Sequence, residues 1–178
     1  PGKLVHGHII NLIEKGVKFI FYPCIMHSRK EQQEANNCFN CPIVISYPEV
    51  IKNNIDVIRE ENILFMKPFL NFGDIGKLTK RLYDELQVFN ISKKEIKNSV
   101  EKALEEQKRF KQDIREAGEK TLKIIEERGI KGIVLAGRPY HTDHQINHGI
   151  PEMINSLGMA VLTEDSICHL GQVERPLR

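Results

Sequence analysis

Val17-Lys18-Phe19-Ile20-Phe21-Tyr22-Pro23-Cys24 is the stretch that decides the fold. Val17 to Tyr22 is rich in β-branched and aromatic residues and predicts a buried strand. Pro23 stops it, because proline has no N–H to give to a ladder. Upstream, Ile9, Ile10, Leu12 and Ile13 make a short helical pattern over 7–14, and Gly16 suits a left-handed helix stop. Downstream, Ile43-Val44-Ile45, between Pro42 and Pro48, predicts a second strand. Ile63-Leu64-Phe65-Met66, ended by Pro68, predicts a third, with helical residues around 49–53 between the two. Alternation of this kind favours a parallel sheet with helices on its faces.

Residues 74–128 read as helical. Ser92 followed by Glu95 is a capping box, in which the Ser oxygen accepts a backbone N–H while the Glu reaches back. From Ile96, a stripe recurs at steps of three or four through Val100, Ala103/Leu104, Phe110, Ile114, Ala117, Thr121 and Ile125, interrupted only by Gln107. That predicts one amphipathic helix of about 35 residues, with Lys, Arg and Glu on its other faces. A compact βαβ unit follows. Gly132-Ile133-Val134-Leu135-Ala136-Gly137 reads as a fully buried strand, 147–157 as a helix stopped by Gly158, and Met159-Ala160-Val161-Leu162 as the next strand. The expected division is 1–72 for part of a first α/β lobe, 73–128 for a helical connector, and 129–178 for the start of a second lobe.

The 178 residues, 40% hydrophobic and 28% charged, suffice for one ordinary domain or two small lobes. Lys and Arg exceed Asp and Glu by only +2, so no basic field argues for nucleic acid. No apolar run approaches the roughly 20 residues that span a bilayer. Pro1-Gly2-Lys3-Leu4 has neither a signal-peptide core nor an initiator Met, so the chain is expected to be a piece of something longer. Four Cys are too sparse for a disulfide scaffold, which makes a reducing, cytoplasmic setting the better expectation.

Three of those Cys cluster, as Cys24-Ile25-Met26-His27 and Cys38-Phe39-Asn40-Cys41. Thiolates two residues apart can grip one soft metal centre because the intervening turn aims both sulfurs inward. The spacing leaves three readings open: iron–sulfur ligation, a four-ligand zinc site including His27, and buried or incidental thiols. A second constellation, Arg138-Pro139-Tyr140-His141-Thr142-Asp143-His144 with Asn147-His148-Gly149, occupies a strand-to-helix loop. It reads as a polar loop in which Asn147 or His148 caps the helix, as a substrate- or cluster-facing loop using Arg138, Tyr140 and His141, or as a metal site of His141, His144 and His148. Glu164-Asp165-Ser166 closes the last strand; two adjacent acids at a sheet's carboxyl edge can bind a ligand, but the segment reads most simply as a solvated loop, and Cys168 as a small apolar residue. No glycine-rich phosphate loop is present, since Gly73-Asp74-Ile75-Gly76-Lys77 lacks the spacing.

Longer motifs carry a resemblance. His6-Gly7-His8, Tyr22-Pro23-Cys24, Asn40-Cys41-Pro42, Ser46-Tyr47-Pro48-Glu49-Val50-Ile51-Lys52-Asn53-Asn54, Gly137-Arg138-Pro139-Tyr140-His141 and Ile146-Asn147-His148-Gly149-Ile150-Pro151-Glu152 resemble the bacterial CoA-substrate-specific enzyme activases. These are also described as 2-hydroxyglutaryl-CoA dehydratase activator-related proteins. In them an ATP-binding activase part is fused to an uncharacterised, dehydratase-like domain, and that domain is the part resembled here.

The resemblance implies three-layer parallel-sheet α/β lobes of the 2-hydroxyacyl-CoA dehydratase component type, joined by a long amphipathic helical segment. It implies a [4Fe-4S] or related cluster, with Cys24 and Cys41 at two ligand positions and a third cysteine expected just before Pro1. Cys38 departs from the family pattern, so Cys38 and His27 enter as further candidates, and the chain alone could lack a cluster or take zinc instead. Arg138, Tyr140, His141 and His148 would line a cofactor-facing cleft. The implied activity is ATP-driven, low-potential electron transfer in anaerobic bacteria, with the isolated chain inactive. The implied partners are the ATP-dependent activase part of the same polypeptide, an acyl-CoA dehydratase, and a second copy in a homodimer. A non-catalytic docking domain and a zinc-stabilised binding module are the alternatives.

Overall fold

A computed structural model describes residues 2–30 and 36–171. Pro1 and residues 172–178, the last of the expected second lobe, lie outside the described residues. Helix α1 (Gly2–Glu14) leads into β1 (Phe19–Phe21) and β2 (Cys24–His27). Next come α2 (Pro42–Asn54), α3 (Val57–Glu60), β3 (Leu64–Met66), β4 (Phe69–Asn71) and α4 (Ile75–Leu86). Then α5 (Lys93–Arg128), β5 (Gly132–Leu135), α6 (Ile150–Ser156), β6 (Ala160–Thr163) and α7 (Glu164–Ile167) complete the order. The architecture is mixed α/β with short parallel strand pairs. Two compact units divide within α5, one ending at Glu101 and the other beginning at Lys102.

In the first unit β1 pairs with β3 and β2 with β4, both parallel. Phe21 faces Met66 before the break and Cys24 faces Phe69 after it, so the register is the same and Pro23 stands opposite Pro68. Two residues without an N–H meet there, which interrupts a single ladder rather than ending it. The bonds on either side survive: Tyr22 N–H donates to Met66 O (2.8 Å) and Cys24 N–H to Pro68 O (2.9 Å). Ile20 and Phe65 point from adjacent strands into a core with Ile9 and Ile13 of α1, Ile51 of α2, and Ile55, Ile58 and Ile63. Gly16 stops α1 with φ +82°, as its position predicts.

One predicted strand is a helix. Ile43-Val44-Ile45 lies inside α2, because Pro42 pre-sets the first turn and the buried positions Pro48, Ile51 and Ile55 recur at helical spacing. The β-branched run that suggested a strand faces outward, with Ile43 60% exposed. The Ser92 capping box forms as expected: Ser92 N–H donates to Glu95 Oε2 (2.9 Å) and Glu95 N–H to Ser92 Oγ (3.2 Å). The helix it starts is 36 residues long.

In the second unit β5 and β6 pair in parallel, Leu135 opposite Thr163, around α6. Strand β5 is not fully buried, since Val134 is 44% exposed; a two-stranded sheet covers little of either face. The helix begins at Ile150 rather than 147, and Glu164 to Ile167 is a helical turn rather than a loop. Among the described residues no helix is long and apolar enough to cross a membrane.

Close approach explains one glycine in α5. A Cβ on Gly118 would lie 2.2 Å from Ser166 O, whereas one on Gly7 in α1 meets nothing within 4 Å. Gly118→Ala is therefore expected to destabilise by roughly 1–3 kcal/mol through forced displacement. Gly7→Ala is expected to stabilise by about 0.5–1 kcal/mol through reduced unfolded-state freedom. Denaturant titration followed by circular dichroism checks both signs, and a neutral Gly118→Ala would contradict the tight contact.

Candidate functional site

Cys24, Cys38 and Cys41 gather around β2 without converging. Cys24 opens that strand and is fully buried. Residues 38–40 run antiparallel beside it: Ser28 N–H donates to Cys38 O (2.9 Å), Asn40 N–H to Met26 O (3.0 Å), and His27 bridges Phe39. The Asn40 side chain clasps the pair, its Nδ2 donating to Ile25 O (2.9 Å) while its Oδ1 accepts from Ser28 Oγ (3.0 Å). That clasp holds Cys41, the residue capping α2, next to the strand that Cys24 begins. Cys38 is half-buried and Cys41 exposed. The His27 ring leans on Phe39 with centroids 4.2 Å apart.

Behind Cys24 lies an ion pair between Lys67 Nζ and Glu49 Oε1, the residues that follow β3 and sit midway along α2. Burial pushes the Cys24 thiol up; the Glu49 carboxylate pushes it further, and Lys67 pulls partly back. The Tyr22 phenol is raised too, by burial first and then by Tyr47 and Cys24. In both cases burial disfavours the charged form. Among the described residues no three His, Cys, Asp or Glu side chains are placed to hold a metal ion.

A second feature lies in the other unit. A cleft of about 590 Å³ opens at the carboxyl ends of β5 and β6. Arg138 and His141 come to it from the turn after β5, and Glu164 and Asp165 from the end of β6. The turn is tight. Arg138 N–H donates to His141 Nδ1 (3.0 Å), and a Cβ on Gly137 would lie 2.5 Å from that same nitrogen. Since Nδ1 accepts, the neutral ring carries its proton on Nε2. Tyr140 packs edge-on against His141 at 4.6 Å, outside the cleft lining. His148, at φ +54°, is exposed and also outside it. His144 pairs with Glu152 (2.8 Å).

Compared with known families, the chain matches the family described as CoA enzyme activase uncharacterised domain (DUF2229) over residues 1–167. The chain belongs to that family. Neither a curated protein nor a solved structure matches it.

Within this CoA enzyme activase domain, the sequence-predicted residues divide by location. Cys24, Cys38, Cys41 and His27 share one strand and its antiparallel arm, and Arg138 and His141 share the cleft. Sequence spacing missed Asn40, Glu49 and Lys67. Asn40 and Glu49 sit inside the motifs Asn40-Cys41-Pro42 and Pro48-Glu49, yet nothing in their spacing signals a clasp or an ion pair. Asn147, expected to cap α6, is not its cap; that position is Gly149 at φ +74°.

Cys24 yields a test of this environment. Iodoacetamide at pH 8 is expected to modify Cys41 in the native CoA enzyme activase domain, and Cys24 only after unfolding in urea. A raised folded pKa for a thiol means its stabilising contribution is intact below about pH 8.5 and is lost as pH climbs through the folded value. Cys24→Ala should flatten that alkaline decline in denaturant midpoints. Equal alkylation of both thiols in the folded chain would contradict the burial.

Proposed function

We propose that the chain is the dehydratase-like, iron–sulfur-binding domain of an acyl-CoA dehydratase activase-related protein, taking part in ATP-driven, low-potential electron transfer. The observation that carries the reading is the Asn40 clasp, which ties the segment bearing Cys41 to the strand that Cys24 begins. Membership of a CoA enzyme activase family supports it. The described residues do not make a closed metal site by themselves. In this reading Cys24 and Cys41 are two ligands of a shared set, completed by groups beyond the described residues. When bound, a [4Fe-4S] cluster supplies one-electron chemistry at low potential. The chain's own part is to hold Cys24 away from water and to place a compensated charge pair, Lys67 and Glu49, beside it. A buried thiol releases its proton more readily when a cation takes its place, so ligation at Cys24 would be coupled to deprotonation.

The proposed setting is a three-layer lobe of the 2-hydroxyacyl-CoA dehydratase component type in a reducing, cytoplasmic compartment. The proposed partners are an ATP-dependent activase part, an acyl-CoA dehydratase, and a second copy of the chain. A docking role without metal is the second reading. It is favoured by Phe19, Leu64 and Phe69, large apolar side chains of β1, β3 and β4 that remain 40–48% exposed.

Anaerobic purification of the chain with its natural flanking sequence, followed by iron and sulfide analysis and electron paramagnetic resonance after reduction, decides between them. The expected result is about four iron and four sulfide per chain, with Cys24→Ser and Cys41→Ser each lowering iron severalfold. A folded, colourless, iron-free protein overturns the cluster reading. If that protein still binds the activase part, the docking reading replaces it; stoichiometric zinc lost in Cys38→Ser replaces it with a zinc-stabilised module.

A further inference from the structure

We propose that the cleft at the carboxyl ends of β5 and β6 binds a ribonucleoside monophosphate whose ribose hydroxyls are both free. This stands apart from the cysteine site and does not depend on it. Ligands of open parallel α/β sheets sit outside the carboxyl ends of the strands, and a cleft of about 590 Å³ matches a small organic molecule.

The polar groups define the ligand. Arg138, past the end of β5, brings a guanidinium suited to two oxygens of a phosphate. Glu164 and Asp165, at the end of the neighbouring strand β6, bring carboxylates that accept hydrogen bonds and so suit a ligand's hydroxyl or N–H donors. An acid at that strand end is where dinucleotide-binding βαβ units take hold of ribose hydroxyls. Between strand ends and helix, Ile150 and Val161 offer apolar wall to a flat base.

Asn147 supplies an independent observation. The residue is only 6% exposed and forms part of the cleft wall. Its Oδ1 accepts from Gly149 N–H (2.9 Å), yet its Nδ2 meets no acceptor among the described residues. A buried donor left unmatched is costly and rare, and its natural complement is a ring nitrogen or carbonyl of the base. Smaller ligands leave part of this set unused. Free phosphate or a simple carboxylate would ignore the acids and the wall, and a sugar phosphate would leave Asn147 unmatched.

Calorimetric titration of the full chain with AMP tests the proposal, beside adenosine, 2′-deoxy-AMP, ribose 5-phosphate and inorganic phosphate. AMP is expected to saturate one site and to bind at least about tenfold more tightly than 2′-deoxy-AMP or phosphate. Arg138→Gln should weaken AMP by a similar factor and leave adenosine unchanged. Asn147→Ala should weaken AMP and adenosine but not ribose 5-phosphate. Should Asn147→Ala fail to fold, the exposed Arg138→Gln and the ligand series still decide. Cys24→Ser should leave AMP binding intact, so a failed cluster reading and a failed cleft reading are separable. No saturation at millimolar AMP overturns the proposal, as does phosphate binding as tightly as AMP or indifference to Arg138→Gln.

Discussion

The parallel ladder of the first unit has to pass two prolines that face each other, and it does so without losing register. Pro23 and Pro68 can offer no N–H, so the ladder is carried across by Tyr22 to Met66 on one side and Cys24 to Pro68 on the other. Everything near the first site depends on that continuity. It delivers Cys24 to the inside of the ladder directly after the break. It also sets Lys67, the residue before Pro68, where Glu49 of α2 can pair with it. A slip by one residue would turn Cys24 to the opposite face and part it from that pair.

Local signals in the sequence were strong wherever one residue type has one structural meaning. Gly16 and Gly158 occupy left-handed helix stops at φ +82° and +77°, and Ser92 with Glu95 caps the long helix reciprocally. Phe19–Phe21 and Leu64–Met66 are strands because their β-branched and aromatic residues have no helical period. Ile43-Val44-Ile45 misleads for a physical reason: a β-branched triplet weighs less than a proline at the first turn and a buried face recurring every three or four residues. The ladder's second half was illegible, since Cys24–His27 and Phe69–Asn71 pair only through tertiary contact.

The same difference separates the two candidate sites. Cysteine spacing gave the ligand candidates at once, but not the burial of Cys24 or the Glu49 carboxylate near it, which together raise its thiol. For the cleft, the loop 137–149 was legible as a strand-to-helix connection at a functional edge. Its partners were not. Glu164 and Asp165 read as a solvated loop because their meaning depends on which strand lies beside theirs. Once Leu135 stands opposite Thr163, acids that follow β6 border the turn that follows β5.

Asn147 shows how a group can be recognised in sequence and still be misassigned. An Asn before a helix is most often its cap, and capping would occupy its oxygen on the first turn. Here Gly149, at φ +74°, takes the cap position, and the Asn147 oxygen closes a turn onto the Gly149 N–H instead. That arrangement fixes the side chain by its acceptor end and leaves the donor end in a buried wall without a partner among the described residues. A turn needing only a cap could have used Ser or Asp, neither of which carries an amide donor. The amide therefore adds a donor that the turn does not use, at a place where water is excluded and a cleft adjoins it.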